Sequence, residues 1–318
     1  MSPALIAVGC GALSALLYLS VVVGSVGGFI FGYLAPLPLT IAGLALGPFA
    51  VILGGVCGTI IVAVINVAWL DGSWLGPFLF AATGALPLSF LIRNAMLSRT
   101  TPDGSLEWYP PGLLAVMVSG FGVLGFAIAL LLTLDEVGGL HGVLTRLLLS
   151  IIRQAPIGAE PIPNRHDVIE GLAQILPGAV VASWSVMLVL NGVLAQSVVA
   201  RFNRCLRPPI RLSDLELPGW TPLAFALSSA GAVILPDDWG FVALNLTLII
   251  ALMFLFAGLA VVHAYARNRP TKVLILTLFY ISFILLAWPP FAVVGLGVLE
   301  QWIGLRRRFS ASGPDQEI

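Results

Sequence analysis

Six polar side chains sit where the chain is otherwise apolar, and they are the residues with which this sequence could do chemistry. Asn66, Asn191, Asn245, His263 and Glu300 lie inside long apolar runs, and Glu170 stands at the entrance to one. A polar or ionisable group is costly in lipid, so each must face the protein interior or a cavity, where it bonds another helix or a ligand. Asn245 and His263 are eighteen residues apart, or five helical turns. They therefore share a helix face but lie near opposite ends, a spacing that suits two separate hydrogen bonds better than one site. For Asn191 and His263 the expectation is bonding from helix to helix.

Other motifs carry less. Gly120, Gly122 and Gly125 fit GxGxxG, yet they sit inside an apolar helix with no strand before them and no acidic residue about twenty positions on, so dinucleotide binding is excluded. Asp237-Asp238 would suit a magnesium-diphosphate pair, but no further carboxylate follows at helical spacing, and a solvated turn is expected. His141, His166 and His263 are isolated, with no nucleophile elbow to match them. Cys10 and Cys57 lie in apolar runs and Cys205 among arginines, without the spacing of a disulfide framework or zinc site. Ala7-Val8-Gly9-Cys10 is faintly like a lipoprotein cleavage site, but no basic residue precedes it, so the first helix is read as uncleaved. No catalytic residue, metal or cofactor is expected.

The elements that position these residues follow from composition. Hydrophobic residues make up 59% of the 318 positions and charged residues 9%, against roughly a quarter charged in soluble domains. No water-facing surface can be built from that, and the short basic clusters offer no nucleic-acid-binding face. Residues 1 to 70 hold no charged side chain, far more apolar chain than the roughly 20 residues one crossing needs. Ten apolar segments run from Ala4 to Val23, Gly27 to Leu46, Phe49 to Leu70, Gly76 to Ile92, Leu113 to Leu134, Leu172 to Val199, Leu217 to Leu235, Phe241 to Ala264, Lys272 to Trp288 and Phe291 to Leu305. Open-ended elements in lipid must be helical. The predicted fold is therefore all-α, a polytopic transmembrane bundle of about ten helices.

Charge orients it. Arg93 and Arg99, the arginines from Arg201 to Arg211, Arg267 to Lys272, and Arg306 to Arg308 all fall on one side, whereas Asp71, Asp135, Glu136, Asp237 and Asp238 fall on the other. The positive-inside rule then puts both termini in the cytoplasm, and the expected location is a bacterial inner membrane. The alternation closes if Pro289-Pro290 marks an outer turn between two short final helices. One integral membrane domain is expected, with a Gly-rich helical half over 1–134, an outer loop with an interfacial helix over 135–171, a second helical half over 172–308 and a cytoplasmic tail over 309–318.

Two packing features stand out. Ala7, Gly11 and Ala15 form a small-residue stripe on the first helix, repeated by Gly43 with Gly47 and Gly54 with Gly58; such stripes let helix backbones approach within a chain or against a partner. Pro36 and Pro38 remove two backbone donors and free carbonyls near Gly32 and Leu34, breaking the second helix where transporters place substrates. An outward cavity near this break would gather Tyr33, Asn66, Trp69, Asp71, Trp74, Glu170 and Asn245, a mixture usual in small-molecule sites.

The run from Tyr33 to Thr40, followed by Gly43 to Pro48 and the Gly-rich helix to Leu70, resembles the N-terminal half of energy-coupling-factor (ECF) transporter substrate-binding S components. The full chain resembles more closely the YybS-like family of predicted bacterial multi-pass membrane proteins of unknown function. Glu107-Trp108-Tyr109-Pro110-Pro111-Gly112, Arg211 with Leu217-Pro218-Gly219-Trp220, and Gly258-Leu259-Ala260-Val261-Val262-His263 carry that likeness. The S-component resemblance implies capture of a small molecule from the outer face, with Ala7, Gly11 and Ala15 docking a membrane coupling subunit. The leading expectation is a transporter or substrate-binding membrane subunit. The alternatives are a membrane scaffold without a substrate, or self-associating assembly factor, and a membrane enzyme acting on lipid or isoprenoid substrates.

Overall fold

The computed structural model describes residues 2–69, 72–153, 164–211, 214–267, 269–286 and 288–311. Helices α1 (Pro3–Leu19), α2 (Val26–Tyr33), α3 (Pro36–Leu46), α4 (Pro48–Trp69) and α5 (Leu75–Phe80) come first; a π turn (Ala81–Ala85) leads into α6 (Leu86–Ala95). A small antiparallel ribbon pairs β1 (Ser98–Thr100) with β2 (Leu106–Trp108). Helices α7 (Pro111–Leu132), α8 (Gly139–Arg153), α9 (Arg165–Arg201), α10 (Thr221–Ile234) and α11 (Asp237–Arg267) follow, then α12 (Lys272–Leu285), α13 (Pro289–Ile303) and α14 (Leu305–Ala311). Prolines open several helices, as at Pro3 and Pro36, because the first turn needs no N–H there. Ser2 and Ser25 cap two of them by accepting from Leu5 and Gly28.

Each of the ten expected segments is largely helical over its described residues, the seventh from Thr221 onward. Among the described residues, seven helical spans are long and apolar enough to cross a membrane, among them the joined pairs Val26–Leu46 and Leu75–Ala95. Helix α10, with 14 residues, reaches only about 21 Å at 1.5 Å per residue. Helices α12 and α13 have 14 and 15 residues and meet at a bend of 120°, a broken span or re-entrant pair. Outer faces are apolar: Val26 is 79% exposed, Phe29 59% and Leu132 79%. A surface of that kind needs lipid as its solvent.

By internal packing the chain forms two compact units. The first holds Met1–Val118 with Val186–Arg211, the second Ser119–Ser185 with Leu212–Ile318. Helix α9 starts at Arg165, so it takes in the end of the expected outer loop. Residues 154–163 of that loop and 312–318 of the expected tail lie outside the described residues.

In the first unit α1 lies on α4. Ala7, Gly11 and Ala15 are buried, and a Cβ at Gly11 would overlap the Gly54 carbonyl. Reciprocally, a Cβ at Gly58 would come within 2.9 Å of the Gly11 carbonyl. The stripe expected to dock a coupling subunit is therefore an internal seam, because small residues on both helices let the backbones touch. Gly43 packs on Val51 and Ile92, whereas Gly47 takes a φ of 93° and ends α3. The loop after α9 is pinned to this unit: Arg207 Nη1 donates to the Ala95 carbonyl at 2.7 Å and its guanidinium lies over Trp108. Burial pulls that guanidinium below its usual range. Cys205 in the same loop is exposed.

In the second unit α11 is the central helix, with Ile249 and Phe254 fully buried. Helix α13 lies on it through Gly258 and Gly297, where added Cβ atoms would overlap the Val293 and Phe254 carbonyls. Helix α8 is amphipathic. Its Leu140 joins a cluster with Phe126, Phe241 and Ile249, Leu147 and Ile151 point outward, and Arg146 ties it to Glu136 at 2.9 Å.

Since the Gly11 contact is with backbone, which cannot swing aside, Gly11→Leu is expected to cost more than the roughly 1–3 kcal/mol of ordinary overpacking. Gly9→Leu, with nothing within 4 Å of its Cβ position, should be tolerated. Membrane abundance and size-exclusion profiles of the two variants check this, and a well-folded Gly11→Leu protein would refute the seam.

Candidate functional site

The break between α2 and α3 is the point where chemistry and fold meet in the first unit. Pro36 and Pro38 carry no N–H, so the ladder tightens around them: Ala35 N donates to the Gly32 carbonyl at 3.1 Å and Leu37 N to the Leu34 carbonyl at 3.0 Å. The carbonyls expected to be freed are thus satisfied, and the one released is that of Tyr33, one residue between them. Asn191 on α9 takes it, its Nδ2 donating to the Tyr33 carbonyl and to the Met187 carbonyl, each at 2.8 Å. Ser14 on α1 donates to the Ala35 carbonyl at 2.6 Å. Asn191 and Ser14 are each 1% exposed. The Oδ1 of Asn191 is buried and has no hydrogen-bond partner in the protein. A buried acceptor without a donor costs roughly 1–3 kcal/mol unless something else supplies one.

A second polar node lies in the second unit. Pro177 interrupts the 37-residue helix α9, and Asn245 on α11 repairs it. Gly178 N donates to Asn245 Oδ1 at 2.7 Å, while Asn245 Nδ2 donates to the Gln174 carbonyl at 3.0 Å and to Phe241 O at 2.9 Å. In an unbroken helix residue 178 would donate to residue 174 directly, so the side-chain amide bridges that step of the ladder. Gly178 permits the approach, since a Cβ there would sit 2.8 Å from Leu248. At the other end of α11, His263 Nε2 and Tyr280 Oη of α12 are 2.8 Å apart. Asn245 and His263 thus make separate interhelical contacts, as their spacing predicts.

The residues expected to line an outward cavity are placed as follows. In the first unit, Tyr33 contributes its carbonyl to the break. Asn66 is buried at 7% exposure, its amide packed against Gly76, and Trp74 is 70% exposed. Trp69 ends α4, and Asp71 lies outside the described residues. In the second unit, Glu170 is exposed and 3.5 Å from His166 one turn earlier, while Asn245 is fully engaged at the proline break. Neither the cavity at the junction of α13 and α14 nor the small one beside Gln196, Cys205 and Arg207 is lined by any of these seven. Ser14 was not singled out by sequence, and its signal is weak: one hydroxyl among the small residues of α1. Pro177, alone inside a long apolar run, is a stronger sign of a place needing an interhelical donor and acceptor. Among the described residues no group of three or more His, Cys, Asp or Glu could hold a metal ion.

One family model covers most of the chain: predicted membrane protein (DUF2232), matching residues 12–299. The chain belongs to this family. No curated protein and no solved structure matches it. Its membership and its apolar helices make this DUF2232 protein a multi-pass membrane protein, embedded in a lipid bilayer.

Removing the Asn245 amide exposes the flaw it covers. Asn245→Leu should lower stability by about 1–2 kcal/mol, the scale of membrane interhelical hydrogen bonds plus an uncovered backbone group. In a Pro177→Ala background, where the α9 ladder can close unaided, the loss should shrink by half or more. Denaturant unfolding of the four proteins in detergent measures both; equal losses in the two backgrounds would show that the amide does not serve the break.

Proposed function

We propose that this DUF2232 protein is a transporter, or the substrate-binding membrane subunit of one, with its small-molecule site at the α2–α3 break. One observation carries the reading: the buried, unpartnered Oδ1 of Asn191 beside a discontinuous helix. Discontinuous helices are where transporters bring backbone and side-chain polar groups to a substrate at mid-membrane depth. With Asn191 Nδ2 engaged by Tyr33 and Met187, the open oxygen calls for a ligand that donates an N–H or O–H. The polar side chains shown at the break are uncharged, with the Ser14 and Thr40 hydroxyls on the Ala35 and Pro36 carbonyls, so the ligand class is a small uncharged or weakly polar molecule. The reading assigns no bond-making step to the protein and no cofactor. It also leaves α1 free of any role in docking a coupling subunit, since α4 covers the stripe.

The reading includes an orientation in a bacterial inner membrane with both termini cytoplasmic, supported by the arginine-rich ends at Arg201–Arg211 and Arg306–Arg308 and the positive-inside rule.

Mass spectrometry of small molecules that co-purify with the protein tests the site. Asn191→Ala should reduce retention of such a molecule about tenfold, the effect of losing one well-placed hydrogen bond of roughly 1.4 kcal/mol, while Trp74→Ala should retain it. Equal retention in both variants would end the proposal. Orientation is read separately: Cys205 in intact cells should be shielded from a membrane-impermeant thiol reagent, whereas Asp238→Cys at the start of α11 should be labelled. Reversed labelling would invert the topology, and like behaviour at both positions would mean that the short helix α10 does not cross.

A further inference from the structure

Helix α8 of the second unit begins at a sharp corner. Gly138 and Gly139 have φ of 75° and 56°, left-handed values that residues with a Cβ rarely adopt, and a Cβ at Gly142 would overlap the Val137 carbonyl. These glycines turn the chain out of α7, which ends at Leu132, into the 15 residues of α8. Leu140, Leu144, Leu147 and Ile151 then follow at steps of four, three and four residues, which puts them on one helix face. That single stripe meets two environments. Leu140 is buried with Phe126 of α7 and Phe241 of α11, Leu144 packs on the same cluster, and the His141 ring meets Phe241 edge to face. Leu147 and Ile151, one and two turns beyond Leu144, are 49% and 57% exposed. The other exposed residues of α8 are Arg146, Ser150 and Arg153, spaced four and three on a different face.

The helices that the stripe touches set its depth. Phe241 lies four residues inside the start of α11 at Asp237, and Phe126 six residues inside the end of α7, about 6 and 9 Å at 1.5 Å per residue. Leu140 is therefore seated below the ends of two spanning helices by the roughly 5–10 Å at which amphipathic helices lie in a bilayer. At the same end of α7, Ile128, Leu131 and Leu132 are exposed on a helix apolar enough to cross the membrane, so lipid is their solvent. Leu147 and Ile151 extend that lipid-facing surface past the edge of the bundle.

We propose that α8 lies along the bilayer interface, with Leu147 and Ile151 in the lipid acyl boundary and Arg146, Ser150 and Arg153 at the level of the headgroups. A second copy of the chain fits this face less well, because two aliphatic side chains fall far short of the roughly 800 Å² per partner that a stable protein interface buries. Seated in this way, α8 fixes the level of α7 and α11 in the membrane through Leu140. The assignment is separate from the α2–α3 break and stands or falls independently of it.

Spin-label accessibility in vesicles of phosphatidylcholine and phosphatidylglycerol tests this on the full-length chain carrying Cys10→Ala, Cys57→Ala and Cys205→Ala. Nitroxides are placed singly through Leu147→Cys, Ser150→Cys, Ile151→Cys and Arg153→Cys. At 147 and 151 collisions with molecular oxygen, which partitions into acyl chains, should exceed those with a water-soluble nickel chelate several-fold; at 150 and 153 the order should reverse. The same preference at all four positions would overturn the proposal, since α8 would then stand in water or be immersed in acyl chains on both faces. Low collision with both reagents at 147 and 151 would overturn it in favour of a protein partner or a second copy. A second measurement keeps the native cysteines. Leu147→Asp combined with Ile151→Asp should raise amide hydrogen exchange over residues 147–153 several-fold in the same vesicles while leaving residues 119–132 of α7 unchanged, and unaltered exchange over α8 would equally overturn the interfacial seat.

Discussion

Every backbone N–H and C=O inside a bilayer must find its partner within the protein, because no water is present to supply one. Much of this structure is an answer to that constraint at four prolines. At Pro36 and Pro38 the ladder tightens to three-residue bonds, and the carbonyl left over, at Tyr33, is taken by Asn191. Before Pro87 the chain opens into a π turn at Ala81–Ala85, in which Leu86 N reaches back to the Ala81 carbonyl. At Pro177 the amide of Asn245 spans the broken step. Helix α9 receives a repair at one end and supplies one near the other.

A second constraint sets how the repairing helices can come close enough. A side-chain amide reaches a neighbouring backbone only if the two helices pack tightly, and in lipid that closeness comes from small residues rather than from hydrophobic force. The first unit uses Gly11 against Gly54 and Gly58; the second uses Gly258 against Gly297. Many serine and threonine hydroxyls bond a carbonyl three or four residues back in their own helix, as Thr40 does to Pro36 and Ser282 to Phe279, which hides them without linking helices. Ser14 leaves its own helix and does so at the break, as Ser20 does in reaching the Gly28 carbonyl of α2.

Class and segments were legible in the sequence because they depend on long averages: the ten apolar runs are largely helical, and Asn191, Asn245 and His263 do bond between helices. The site was less legible, for physical reasons that differ by residue. Asn66 and Trp74 look alike on a depth scale, yet helix rotation about its axis buries one against Gly76 and turns the other out, and a rotation is not written in depth. Asn245 looks like a ligand group until Pro177 is seen opposite it. The Ala7, Gly11 and Ala15 stripe has the same spacing whether it meets another chain or α4, and only the matching glycines on α4 decide. The freed carbonyl was misplaced by one residue because the tightened turn satisfies both neighbours.

Charge divides the remaining work. Glu300 is the acid buried deepest in an apolar segment, and by itself it would invite a reading as a proton-carrying or catalytic group. Its two oxygens are instead held by the side chain and backbone of Arg306 across the Gly304 turn, so it is a capping group for α14 and a counter-charge to Arg306. Such a pair, already neutral and hydrogen-bonded, tolerates its low-dielectric setting without a ligand. Among the described residues the buried side-chain atoms without a hydrogen-bond partner are the Asn191 oxygen, the Ser185 and Ser229 hydroxyls and Nε of Arg207, and of these only the Asn191 oxygen lies beside a break in a helix. The charged side chain buried within an apolar segment is thus paired, while the unpaired group at the helix break is an uncharged amide oxygen, and both follow from the cost of charge in lipid.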